Sequence, residues 1–178
     1  MGPGTSSRLA RRVLAGVLAL LGCAGGDLAA VDGELRHRRH GYAFDAPGPP
    51  WKRVAVEGAV VAYRREGPAT MSLQSRCGGP LADPATLARH LRIGLPPYTL
   101  RQAGPARVAG RSAWSQVFDT LENGRAVRVK TLTLVEGACI LDWVLVTGGG
   151  FEEAEPDFDA WVASLRLPGG EPDGGGAP

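Results

Sequence analysis

Residues 111–147 constrain this chain more than any other stretch, because three long runs of alternating character are parted by two tight turn signals. Arg111 to Leu121, Ala126 to Val135 and Cys139 to Thr147 read as strands. Asn123-Gly124, the strongest short hairpin signal, joins the first two, and Glu136-Gly137 turns the chain into the third. Val127, Val129, Thr131, Thr133 and Val135 share one face of the middle run, while Cys139, Leu141, Trp143 and Leu145 alternate along the last. A meander with one apolar face needs a cover. Residues 157–167 supply one: Phe158, Trp161, Val162 and Leu165 fall at i, i+3, i+4 and i+7, an apolar stripe at helical spacing. Asp157 and Asp159 suit the start of that helix through the macrodipole. A stripe of this kind is core rather than a cofactor box.

Upstream, the pattern is shorter. Tyr42-Ala43-Phe44 alternates like a half-buried strand and is stopped by Pro47, Pro49 and Pro50. Trp51 to Val56, Val60 to Arg64 and Thr70 to Arg76 read as further strands, parted by Gly58 and by Glu66-Gly67-Pro68. Asp83-Pro84 opens a helix, since Asp caps free amides and Pro fits the first turn. Leu87, Leu91 and Leu95 recur on its face, and Gly94 with Pro96-Pro97 closes it near Ile93. The Pro/Gly-rich stretch up to Arg111 reads as a link. The expected fold is α+β, an antiparallel sheet with two main helices.

The N-terminus carries a second pattern. Arg8, Arg11 and Arg12 precede an apolar run from Val13 to Leu21 and then Leu20-Leu21-Gly22-Cys23. The run is too short for a spanning helix, which needs about 20 apolar residues. It resembles a bacterial lipoprotein signal with its lipobox: residues 1–22 would be removed and Cys23 would carry diacylglyceryl and palmitate-type chains. An ordinary signal peptide or a short uncleaved anchor is the plainer alternative. Each buried methylene contributes about 0.8 kcal/mol, so two or three chains anchor firmly where one does not. Ala24 rather than Asp after the cysteine implies, by resemblance to enterobacterial sorting, the outer membrane facing the periplasm. Residues 23–40 then read as a tether, 41–167 as the globular domain, and 168–178 as a Gly/Pro tail that cannot bury anything.

Processing changes the charge. Three of the 20 Lys and Arg lie in the leader, so 17 face 18 Asp and Glu afterwards, a formal −1. A near-neutral domain has no electrostatic footprint for nucleic acid. About 150 residues remain, enough for one core and not two. With Cys23 assigned to lipid, Cys77 and Cys139 form a natural disulfide pair in an oxidising envelope compartment, and two separate buried thiols are the alternative. No histidine lies near either in sequence, which argues against a metal site.

Three segments together are similar to the PsbP-like α/β/α sandwich. They are Gly41-Tyr42-Ala43-Phe44-Asp45-Ala46-Pro47 followed by Trp51, Val108-Ala109-Gly110-Arg111-Ser112-Ala113 before the meander, and Phe158-Asp159-Ala160-Trp161-Val162-Ala163-Ser164-Leu165 at its close. The resemblance covers roughly residues 41–167. It implies a domain that docks, scaffolds or binds and transfers no catalytic residue; Cys77 and Cys139 are not part of the general PsbP pattern.

Chemistry is sparse. Gly110-Arg111-Ser112-Ala113-Trp114 lacks the final Gly of a nucleophile elbow. Gly148-Gly149-Gly150 follows a strand without the phosphate-binding spacing and reads as a strand-to-helix link. Glu152, Glu153, Glu155, Asp157 and Asp159 lack the calcium-loop order and read as a solvated helix start. Arg36-His37-Arg38-Arg39-His40 reads as a solvated linker end, with headgroup contact as the alternative, and its arginines disfavour a cation between the histidines. His90 reads as a packing or surface residue. Asp142, if buried, needs a partner, which Arg128 or Lys130 on the neighbouring strand could supply. The leading expectation is a non-enzymatic, lipid-anchored envelope lipoprotein that serves as a binding or accessory module for a protein partner, without cofactor or metal. A carrier of lipid or another small apolar ligand is second, and a hydrolase is third.

Overall fold

A computed structural model describes residues 28–31, 33–79 and 81–168. Cys23, the leader and the C-terminal tail after residue 168 lie outside the described residues. In chain order the elements are β1 (Leu28–Val31), β2 (Glu34–His37), β3 (Ala43–Asp45), β4 (Lys52–Val54), β5 (Val61–Arg65), β6 (Ala69–Cys77), α1 (Pro84–His90), β7 (Thr99–Val108), β8 (Arg111–Glu122), β9 (Arg125–Glu136), β10 (Cys139–Thr147) and α2 (Phe151–Ala163). The main sheet has seven strands in the order β4-β5-β6-β10-β9-β8-β7, and a small sheet has the order β1-β2-β3. Every pairing is antiparallel.

The expected meander is the centre of the main sheet. Asn123 and Gly124 both take positive φ, 51° and 77°, as the two central positions of a type I′ hairpin require. Strand pleating then sorts side chains by parity. On β8, Gln116 points to the α1 side, where its Nε2 donates to the Ala88 carbonyl at 2.8 Å. Its neighbour Val117 points the other way, opposite Lys130, whose Nζ reaches α2. The helices therefore cover opposite faces, and the α/β/α sandwich of PsbP-like type follows.

Helix α1 starts as expected, with Asp83 Oδ1 accepting from the Thr86 N–H at 2.9 Å and Pro84 in the first turn. It ends at His90 rather than near Ile93, and a run of turns carries the chain to Gly94 at φ 81°. Helix α2 starts at Phe151, ahead of the expected 157, because the chain runs helically through Pro156. Its stripe of Phe158, Trp161 and Val162, continued by Leu165, is buried as the spacing requires.

Two regions depart from expectation. The Pro/Gly-rich link before Arg111 is strand β7, ten residues long, with Gly104 and Pro105 inside it. It is tolerated because β7 is an edge strand: Pro105 lacks an N–H, and an edge strand leaves half of its backbone groups without a ladder partner anyway. The register shifts between Leu100 and Gln102. Within the stretch expected as tether, residues 28–31 and 34–37 form β1 and β2, so regular structure begins ahead of Gly41. Leu35 and His37 alternate inward between exposed or half-exposed neighbours. Arg166 holds this small sheet to the domain: its guanidinium donates to Glu34 Oε2 at 2.9 Å and to Asp45 Oδ1 at 2.6 Å, and its backbone exchanges both hydrogen bonds with Ala43.

Candidate functional site

Covalent and ionic features concentrate on the α2 side of the sheet and at its ends. The structure joins Cys77 to Cys139 by a disulfide across the last matched pair of β6 and β10, with a sequence separation of 62. His40 stands beside it. One nitrogen of His40 and the two sulfurs all lie within 4.8 Å of one another. The turn that carries His40 is set locally: its backbone N–H donates to His37 Nδ1 at 3.2 Å, the two rings lie 4.9 Å apart, and the His37 ring sits 4.8 Å from Tyr42. A cavity of about 180 Å³ opens here, lined by His40, Tyr42, Glu136, Cys139, Leu141 and Leu167. The sequence separation between His40 and the cysteines hid this cluster. Strand β2 and the turn after it bring the imidazole back to the end of the main sheet.

A second cleft, about 240 Å³, lies between the proline-rich loop after β3 and α2. Trp51 Nε1 donates to Asp157 Oδ2 at 2.9 Å, and the Asp45 N–H donates to Ser164 Oγ at 3.1 Å. Both bonds brace the loop against the helix.

The acidic run at α2 is consumed by pairing rather than solvated throughout. Glu155 and Asp159 both receive Lys130 Nζ, at 2.8 and 2.7 Å, and Glu152 lies 3.3 Å from Arg128. Burial pulls the Lys130 ammonium down, but its hydrogen bonds to Asp159 and Glu155 outweigh that and hold it above the ordinary lysine value. Arg128 also grips Asp119 at 2.8 Å, which with Arg101 at 2.6 Å holds that carboxyl below its usual range.

Asp142 is nearly fully buried, and neither Arg128 nor Lys130 pairs with it. Register gives the reason. Asp142 opposes Thr133 and shares the α1 side, whereas Lys130 and Arg128 oppose Leu145 and Thr147 on the α2 side. Its partner is the Thr133 hydroxyl, which donates at 2.7 Å, with the exposed Arg76 3.9 Å away. Burial pushes the Asp142 carboxyl up, against the opposing pull of Thr133 and Arg76.

His90 ends α1 and is exposed. Beyond it, large apolar side chains face solvent in one short stretch: Ile93 is 75 % exposed, and Leu95, Tyr98 and Leu100 follow. Arg92 lies over the Tyr98 ring at 5.0 Å, and Tyr98 meets Phe118 edge-on. Sequence reasoning assigned this segment to a helix end and a link and did not single out its apolar exposure. Among the described residues, no helix is long and apolar enough to cross a membrane.

No protein-family model and no curated protein matches the chain. Solved structures do. The cyanobacterial PsbP protein CyanoP of Synechocystis has TM-score 0.58 at 15% identity, covering 85% of this chain and 98% of its own. LpqN of Mycobacterium tuberculosis, involved in cell envelope biogenesis, has TM-score 0.52 at 17% identity over 72% of this chain and 85% of its own. The Ran-binding protein Mog1p of Saccharomyces cerevisiae has TM-score 0.52 at 9% identity over 71% of this chain and 89% of its own. At such identities the likeness speaks for architecture alone: the chain has the PsbP-like fold.

Proposed function

We propose that this chain is a lipid-anchored, non-catalytic binding or accessory module of the bacterial envelope. Cys23 would hold it to a membrane, the outer one by the Ala24 rule, and the folded domain would meet a protein partner. The observation that carries the reading is where its apolar surface lies. The space between α2 and the sheet is filled by Phe44, Trp143, Phe158 and Trp161, all buried, while Ile93, Leu95, Tyr98 and Leu100 stand outside. A module of this build recognises a partner at its surface rather than by enclosing a ligand. Contiguous exposed apolar patches mark interaction sites. LpqN, a protein of cell envelope biogenesis, and Mog1p, a Ran-binding protein, carry the same architecture and lend support to envelope work and to protein binding. The carrier reading needs an enclosed apolar cavity of about 300–1,000 Å³, and among the described residues the core between α2 and the sheet is occupied by these buried side chains.

Two experiments test this. Cys23→Ser should abolish acylation and release the protein from membranes; unchanged acylation and fractionation would end the anchored reading. Crosslinking of the acylated protein in its native envelope, followed by mass spectrometry, should return one reproducible protein partner that is lost on Ile93→Glu with Tyr98→Glu. Stoichiometric extractable lipid and no partner would put the carrier reading in its place.

A further inference from the structure

The disulfide corner has the parts of a metal site in its reduced form. Cys77 and Cys139 face each other directly across the ladder, and His40 lies against both sulfurs. Two thiolates and an imidazole are a soft N/S donor set, the set that tetrahedral Zn²⁺ takes. We propose that reductive opening of the Cys77–Cys139 bond creates a Zn²⁺ site from Cys77 Sγ, Cys139 Sγ and one His40 nitrogen, its fourth position open to the adjoining cavity.

The geometry asks for little movement. With Zn–S distances of about 2.3 Å, tetrahedral coordination sets the sulfurs roughly 3.7 Å apart. The two Cα atoms stand 4.0 Å apart on directly opposed residues of the ladder. Opposed cysteines at that spacing would reach the metal by rotation about each Cα–Cβ bond. Opening the bond does not unzip the strands, since β6 and β10 stay matched from Ile140 and Arg76 through to Thr147 and Ala69. Cys77 is half-buried and so is the sulfur an incoming thiolate can reach, while Cys139 is buried. His40 is fixed by its backbone bond to His37 Nδ1 and by ring contact, so the imidazole is placed before any metal arrives. Glu136, which also lines the cavity, is engaged by Arg111 at 3.0 Å and leaves the fourth position to water or a partner's side chain.

The chemistry balances with a dithiol as reductant. Its thiolate attacks Cys77 Sγ and displaces Cys139 as thiolate; its second thiol then resolves the mixed disulfide and leaves as the oxidised dithiol. Two electrons and two protons pass to the cysteine pair. Zn²⁺ binding then releases those two protons to solvent, because the ligands are thiolates. The oxidised chain lacks the two thiolates and offers only an imidazole, so the site is switched by redox state.

The test uses the full chain with Cys23→Ser throughout, so that Cys77 and Cys139 are its only thiols. Zn²⁺ is titrated against a chromophoric chelator, with the protein oxidised and after reduction by a trialkylphosphine. One Zn²⁺ per chain should bind after reduction and not before. His40→Ala should weaken binding by about 10- to 100-fold or more, the scale seen for groups around a bound metal. His90→Ala should leave it unchanged. Co²⁺ in place of Zn²⁺ should give a thiolate-to-metal charge-transfer band in the reduced parent. Equal affinity in the oxidised and reduced chains, or in reduced His40→Ala and its parent, overturns the site, as does a missing charge-transfer band. If reduction alone loosens the fold, Zn²⁺ must restore its circular dichroism, and failure to do so counts against the proposal equally.

Discussion

The two faces of the main sheet are built from the same strands and yet are different materials. On the α2 side, Leu132, Leu134, Leu141, Trp143 and Leu145 meet Phe158, Trp161, Val162 and Leu165, and Tyr42 and Phe44 extend that core toward the small sheet. On the α1 side the apolar cluster is Phe118, Val127 and Val129, with Val144 and Val146 packed against it. That face also buries polar side chains, Gln116, Thr131, Thr133 and Asp142, beside the apolar Ile140. Helix lengths follow the same division, 13 residues against seven. A seven-residue helix is far below the about 12–15 residues at which isolated helices become even marginal, so α1 exists through its docking on the sheet. Unsatisfied buried polar atoms do not separate the faces, since Gln116 Oε1 and Thr131 Oγ1 lie on this one and Trp143 Nε1, Thr147 Oγ1 and Trp161 Nε1 on the other. Each such atom lowers what burial gains. The α2 face holds the larger apolar cluster, and the α1 layer is therefore expected to open first. The exposed apolar segment continues directly from α1, so the proposed docking surface sits on the softer layer.

The comparison breaks most sharply at the core helix. Phe158→Ala should cost about 3–5 kcal/mol, the usual range for a fully buried aromatic. Leu87→Ala, on α1, should cost about 2 kcal/mol, because a short helix can settle toward the sheet and shrink the cavity. Urea midpoints give both numbers, and equal losses would mean that the faces are energetically alike. Native-state hydrogen exchange adds a second reading: amides of α1 should exchange by local opening while those of β9 and β10 wait for global unfolding.

Next in size is the ion cluster that fastens α2. Lys130→Met keeps the stem but leaves Glu155 and Asp159 facing each other without their cation. The loss should be about 1–2 kcal/mol, below the full value of a charged hydrogen bond because both carboxylates can rehydrate. The folded-state pKa of Lys130 is raised, so its contribution is complete below the ordinary lysine value of 10.5 and fades as pH climbs through the folded value. The parent should therefore lose stability above about pH 10.5 in a way that Lys130→Met does not. Parallel alkaline curves would show that the pair adds nothing measurable.

What the sequence made legible follows from periodicity. The meander and the α2 stripe were readable because alternation and the i, i+3, i+4, i+7 spacing report directly on a buried face. Strand β7 was not, since Gly104 and Pro105 erase a strand pattern unless one knows that the strand lies on an edge. Strand β1 was masked by its small residues Ala29 and Ala30, and β2 by Arg36 within it and Arg38 and Arg39 just after it, although Leu35 and His37 alternate. The mispairing of Asp142 had one cause: neighbouring strands were identified, but register decides which residues share a face, and only the pairing Asp142 opposite Thr133 reveals it. His40 against the disulfide was invisible for a related reason, being a contact between a segment read as linker and the far end of the sheet.

Asp142 gives the smallest effect and the one of opposite sign. Its carboxyl is raised in the folded protein by burial, which Thr133 and Arg76 only partly offset. A raised carboxyl binds its proton more tightly folded than unfolded, so this residue adds stability as pH falls through the folded value toward 3.8 and withholds it at neutral pH. Asn in its place is neutral at every pH and still accepts the Thr133 hydroxyl through its amide oxygen. Asp142→Asn should therefore match or exceed the parent at pH 7, by less than the roughly 1 kcal/mol of one net hydrogen bond. It should also lack the parent's relative gain on the acid side. Arg76 is exposed and 3.9 Å away, so its share should disappear in high salt and widen the margin in favour of Asn. A clear loss at pH 7 would mean that the ionised Thr133–Asp142 bond outweighs desolvation, and that the polar face is held by its hydrogen bonds rather than weakened by its buried charge.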